Sequence, residues 1–319
     1  MGHATTTIAG GLIAALTRQH DSLARRWSAA RAGHVKGVHR ARVASRRLRE
    51  VLAVIDAAEP KSRAARLLRT ARRMTRALGP VREIDVALVE LDLAARRHGW
   101  SPELAGIVRR RLERERERRA KRMVAKIAKQ DRGSVRDDIR ELSKWMTGAD
   151  DRSSEAALSA RIVRRARAVL TASAEAGTIY VPGRLHALRI AIKKLRYAVE
   201  LLPPTPAFDV AAALKLLKRA QSRFGSLQDI QVLTAEVAAI DTVNRHPADR
   251  AALSAAADAL ERDCREIHAK ALAVVPDVEA CARLIRRELG VRRRGSRLAM
   301  AKAALDTKAH GVGLKASGP

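Results

Sequence analysis

A chain of 319 residues carries 64 Lys and Arg against 34 Asp and Glu, a formal charge of +30, and such a surplus repels itself unless a polyanion relieves it. Two cysteines, Cys264 and Cys281, exclude a disulfide scaffold and fit a reducing, cytoplasmic setting, while no segment approaches the roughly 18 apolar residues of a membrane span. Richness in Ala, Leu and Arg, with 2% aromatic residues, favours long helices over a sheet; the fold class is all-α.

Apolar periodicity predicts helices over 6–31, 35–58, 61–78, 81–98 and 102–130, punctuated at Gly33, Pro60, Gly79-Pro80 and Gly99 to Pro102. Further helices are expected over 134–146, 155–175, 184–202, 207–224, 227–243, 248–275 and 277–289. Ile8 to Leu16 is the only early apolar run, short and interrupted by Gly10 and Gly11, so it reads as the start of an amphipathic helix rather than a signal peptide. The polar stretch Thr147 to Ser154 joins two halves, giving helical repeats over 1–150 and 151–290 and a basic, disordered tail over 291–319.

That division agrees with an internal repeat. His39, Arg42, Arg46 and Arg49 recur 147 positions later as His186, Arg189, Lys193 and Arg196. The spacing i, i+3, i+7, i+10 gathers the four side chains within about one fifth of a turn, since each helical residue advances by roughly 100°. Ala41, Leu48, Val51, Leu52 and Ile55 fall on the opposite face, as do Leu188, Leu195, Val199 and Leu202 in the second copy. Each helix therefore packs an apolar back and presents a cationic front.

A second element repeats at an offset of 146: Leu78-Gly79-Pro80-Val81-Arg82-Glu83-Ile84-Asp85 matches Phe224-Gly225-Ser226-Leu227-Gln228-Asp229-Ile230-Gln231. Glycine at a break between two helices, with an acid early in the next, satisfies helix-end geometry and dipole; Glu83, Asp85 and Asp229 are expected to orient neighbouring arginines. The helix before this break carries its own stripe, Arg66, Arg69, Arg73 and Arg76, with Lys215, Lys218, Arg219 and Arg223 as counterparts. Arg111 to Arg122 alternates in sign instead, pairing Glu115 with Arg119 and Glu117 with Lys121, and reads as a solvated helix.

A basic face is usually the wet side of a helix, but the stretches from His39 to Arg49 and from Arg63 to Arg76 contain no acid, and the phase is kept in both halves. Arginine forks match phosphate oxygens and lysines supply mobile charge, so a row at one-turn intervals suits a ladder of phosphates. An arriving phosphate favours the imidazolium form of His39 and His186. No cluster has metal-ligand spacing; no metal and no cofactor are expected.

At these residues the chain resembles the CHAD family, the conserved histidine α-helical domain, over roughly residues 6–290. The resemblance implies two pseudo-symmetric four-helix bundles enclosing a basic central groove or pore that binds inorganic polyphosphate, with association to polyphosphate granules. It points to His39, Arg42, Arg46, Arg47 and Arg49, and to His186, Arg189, Lys193, Lys194 and Arg196; Arg82 matches the second motif, whose other copy has Gln228. Many relatives carry an E-x-E-x-K triphosphatase domain. Here E-R-E-R-E at Glu113 to Glu117 falls in a helical pattern, so a stand-alone domain is expected.

The leading expectation is a non-enzymatic polyphosphate binder in which the stripes and the helices bearing Arg69 and Lys215 line one channel. Scarcity of aromatics leaves no platform for stacking bases, although nucleic-acid binding is the alternative for so basic a protein. A polyphosphate-cleaving enzyme using Glu83, Asp85 or Asp229 is the third reading, and it lacks an evident acidic metal cluster.

Overall fold

The computed structural model describes residues 7–60, 62–128, 132–240 and 246–290. The expected basic tail over 291–319 lies outside the described residues. The described chain is all-α, with no strand among the described residues. Its helices are α1 (Ile8–Arg31), α2 (Val35–Ala58), α3 (Ala64–His98), α4 (Pro102–Ala128), α5 (Arg132–Met146), α6 (Asp151–Ala176), α7 (Pro182–Val199), α8 (Val210–Ala238), α9 (Pro247–Leu272) and α10 (275–290).

Local chemistry sets the ends. The side chains of Thr7, Asp150 and Asp209 accept hydrogen bonds from the first free backbone amides of α1, α6 and α8. Pro182 and Pro247 sit in the first turns of α7 and α9, where a missing N–H costs nothing. Gly99 ends α3 at φ +60°, a left-handed conformation open to glycine.

Two expected breaks are absent. α3 runs through Gly79-Pro80 and α8 runs through Gly225, each a single helix of 35 and 29 residues. Proline in mid-helix removes one hydrogen bond and strains a turn, yet Leu78, Val81 and Ile84 on either side are fully packed in the core. Burial on both flanks holds the helix together where local propensity alone would stop it.

Consecutive helices pack on one another from α1 to α4 and from α6 to α9. The halves meet where α2 lies against α6 and α7, α3 against α8, and α4 against α8 and α9. The expected apolar backs of α2 and α7 are buried, Leu202 only partly, and core residues from Ala9 to Leu289 form one contiguous cluster. With their backs committed to that core, the cationic fronts of α2 and α7 turn toward each other.

Candidate functional site

Between α2 and α3 on one side and α7 and α8 on the other opens a cavity of about 630 Å³, within the usual range of ligand sites, roughly 300–1,000 Å³. α2 supplies His39, Arg42 and Arg46, α3 supplies Arg82 and Glu83, α7 supplies His186, Arg189, Lys193 and Tyr197, and α8 supplies Gln221, Ser222, Gln228 and Asp229. The two stripes, 147 positions apart in the chain, therefore share one space.

Arg42 is the most firmly held of these side chains. Its Nη1 donates to the carbonyl of Thr75 at 2.9 Å, and its Nη2 lies 3.8 Å from Glu83. Gly79 makes this possible: a Cβ there would stand 2.6 Å from Arg42 Nη1. Gly79 thus serves a close approach by arginine inside a continuous helix, not a turn; its counterpart Gly225 faces open space. In the other repeat His186 Nδ1 is hydrogen-bonded to the side-chain oxygen of Gln228, the residue standing where the first copy of the second motif has Arg82.

The cations outnumber and outrank the acids. Arg46, Arg189 and Lys193 make no ion pair among the described residues, and Arg189 Nε is buried without a hydrogen-bond partner. Burial, reinforced by Arg46 and Arg189, holds Arg42 down at about 10 despite Glu83. Lys193, only 7% exposed, is driven down to about 6, first by burial and then by Arg46, Arg189, Arg42 and Lys194. Burial and the neighbouring Arg82 likewise lower His39. Of the two cavity carboxylates, Glu83 is half-exposed, and burial pushes Asp229 up against the pull of Arg189 and Arg82. Desolvated like charges in contact are unfavourable, and an anion entering among them relieves the cost.

Other expected residues lie elsewhere. Arg47 Nε donates to Glu200 at 3.1 Å, and Arg196, bonded to Glu200 and Gln221, stacks 4.5 Å from the centre of the Tyr197 ring. Arg49, Arg76 and Lys194 flank the cavity without lining it. Arg69 and Arg73 are exposed on α3, as are Lys215, Lys218, Arg219 and Arg223 on α8; Arg219 reaches Asp277 and Arg223 the carbonyl of Lys270. The upper stripes of α3 and α8 therefore do not line the cavity. α3 reaches it beyond Gly79, through Arg82, Glu83 and Val86, and α8 reaches it from Gln221 onward. Tyr197 escaped the sequence reading, although it continues the stripe of His186, Arg189 and Lys193 by one more turn.

The acids of the repeated motif divide. Glu83 lies between Arg42 and Arg119 at 3.8 and 3.9 Å, the orienting position expected of it. Asp85 is buried outside the cavity and accepts from Arg116 Nε at 2.7 Å. The alternating helix α4 is more than a solvated face: Arg119 joins Glu115 on its own helix to Glu236 of α8, and Arg111 also approaches Glu236. Both i, i+4 pairs read from the sequence are present.

The described chain is all-α, and the cationic fronts of α2 and α7 share one acid-poor cavity. The sequence model of the CHAD domain matches residues 14–238, most of the chain, and the chain belongs to the CHAD family. None of the curated proteins matches it. Solved structures share the fold, among them the two that follow. The CHAD domain from the plant Ricinus communis is 19% identical with a TM-score of 0.60, over 88% of this chain and 93% of that one. PptA from Streptomyces chartreusis is 18% identical with a TM-score of 0.61, over 86% of this chain and 99% of its own. Among the described residues no helix is long and apolar enough to cross a membrane.

Proposed function

We propose that this protein binds inorganic polyphosphate in the cavity between α2, α3, α7 and α8, without cleaving it, and through that binding associates with polyphosphate granules. One observation carries the reading: Arg42, Arg46, Arg189 and Lys193, from two distant segments, line one desolvated space with no carboxylate closer than Glu83 at 3.8 Å. Guanidinium forks and an ammonium group grip phosphate oxygens by charge-assisted hydrogen bonds. The family to which the chain belongs and the repeated histidine motif support the same ligand.

Among the Phe, Trp and Tyr side chains of the described residues only Tyr197 lines the cavity; it is 6% exposed, and Arg196 and Arg47 lie over its ring. That offers no free face to a nucleobase, which favours a slim, sugar-free polymer over DNA or RNA. In the proposed role Glu83 orients Arg42 and Asp229 moderates the charge of Arg189. Competition at about physiological ionic strength tests the proposal: polyphosphate should displace duplex DNA and single-stranded RNA of equal charge. Equal affinity for all three polymers would replace this reading with non-specific nucleic-acid binding, and phosphate release in the presence of Mg²⁺ would replace it with catalysis.

A further inference from the structure

The cationic track does not stop at the cavity wall. Arg46, inside the cavity, lies close enough to Arg49 for the two charges to act on each other, and Lys193 is in the same relation to Lys194. Beyond that wall, where α2 packs against α3, α6 and α7, Arg49 of α2 lies within electrostatic reach of Arg72 and Arg76 of α3 and Arg165 of α6, and Lys194 of α7 within reach of Arg49, Arg161 and Arg165. Four helices thus converge on a second cationic cluster, continuous with the first. Its acid is Glu50, which is 5% exposed and already holds Arg161 Nε at 2.8 Å and Arg165 Nη2 at 2.9 Å. Arg49 Nε and Arg165 Nε are buried without hydrogen-bond partners, while Arg72 and Arg76 are exposed and in no ion pair among the described residues.

We propose that a bound polyphosphate chain leaves the cavity past Arg49 and Lys194 and continues over a second phosphate-binding segment completed by Arg72, Arg76 and Arg165. This rests on the polyphosphate reading above and adds a length dependence to it. A short oligophosphate fills the cavity alone, whereas a long chain engages both segments, and the second engagement is intramolecular once the first is made. Arg72 and Arg165 belong to neither stripe of the repeated motif. They reach the track because α3 and α6 flank α2 there.

The test compares tripolyphosphate with long-chain polyphosphate, titrated into wild-type protein and into the double variant Arg72→Ala, Arg76→Ala. Neither side chain pairs with an acid, so the substitutions uncover no buried charge, and a thermal melt confirms the fold. A second variant, Arg250→Ala, Arg262→Ala, removes the same charge from the exposed face of α9. Tripolyphosphate affinity should change less than about twofold in either variant, as expected for charges it does not touch. Long-chain affinity should fall about tenfold in the first variant, the size expected for two exposed ionic contacts, with the slope of log affinity against log salt falling by about 1 to 2. Long-chain affinity left unchanged, or lost equally for tripolyphosphate or in the α9 variant, would overturn the second segment while leaving the cavity intact. Wild-type protein that binds neither polymer would overturn the polyphosphate reading beneath it.

Discussion

Arginine is used in two opposite ways in this molecule. Along the seams between the two repeats, arginines meet buried acids of the other repeat: Arg161 and Arg165 hold Glu50, Arg119 holds Glu236 at 2.6 Å, and Arg97 and His98 hold Asp263 at 2.6 and 2.9 Å; Arg47 holds the partly exposed Glu200. In the cavity Arg42, Arg46, Arg189 and Lys193 are similarly sheltered, but they crowd one another with only half-exposed Glu83 and Asp229 as counter-charges. The seams are electrostatically complete and the cavity is not. Burial of basic residues alone therefore does not mark a site; burial in excess of counter-charge does.

The largest change expected is conversion of the cavity into a seam. Lys193→Glu sets a carboxylate among three guanidiniums, so polyphosphate affinity should fall by more than about 100-fold, as like charges repel the ligand, while the thermal midpoint rises. A titration and a melt on the same sample check both halves of that statement. The converse variant, Glu50→Gln, strips a seam of its acid and leaves Arg161 and Arg165 sheltered and unpaired. It should cost about 3–5 kcal/mol in chemical denaturation and leave tripolyphosphate affinity within a few-fold of wild type. If stability and affinity fell together in either variant, the two uses of arginine would not be separable.

Proton linkage gives an intermediate effect. Burial and the surrounding cations hold Lys193 down at about 6, far below the ordinary lysine value of 10.5, so the unfolded chain binds more protons between those values. Stability of the free protein should accordingly rise with pH across that window, and Lys193→Met should remove this contribution. Phosphate favours the ammonium form, so binding near neutral pH should take up a proton and affinity should strengthen as pH falls toward 6. Calorimetric titration in buffers of different ionisation enthalpy reads that uptake directly. The smallest effect is at Gly79→Ala, where the added methyl displaces the Arg42 guanidinium; several-fold weaker binding is expected with little change in stability.

The helices and the stripes of α2 and α7 were legible because amphipathic periodicity is a local property, and both copies keep the phase. What periodicity does not contain is the identity of the neighbour that a face turns toward. Arg69 and Lys215 share the helical phase of the site residues, yet their stretches of α3 and α8 turn elsewhere, and Arg82 reaches the cavity from farther along α3. The break expected at Gly79-Pro80 failed for a related reason, since the packing of Leu78, Val81 and Ile84 outweighs the local penalty. Glu236 and its partners Arg111 and Arg119 lie more than 100 positions apart, and no local pattern joins them. Tyr197 alone was within reach, one turn beyond Lys193 on the same face.

The central claim is that the two converging stripes form a single polyphosphate site. Its most direct test is the equilibrium affinity of long-chain polyphosphate, at about physiological ionic strength, for wild type and for a variant with Arg42, Arg46, Arg189 and Lys193 changed to Ala. Strong wild-type binding that is lost in the variant, with the fold retained, is the predicted result. A variant that binds as wild type does would show that the surplus charge acts diffusely over the surface and would contradict the account.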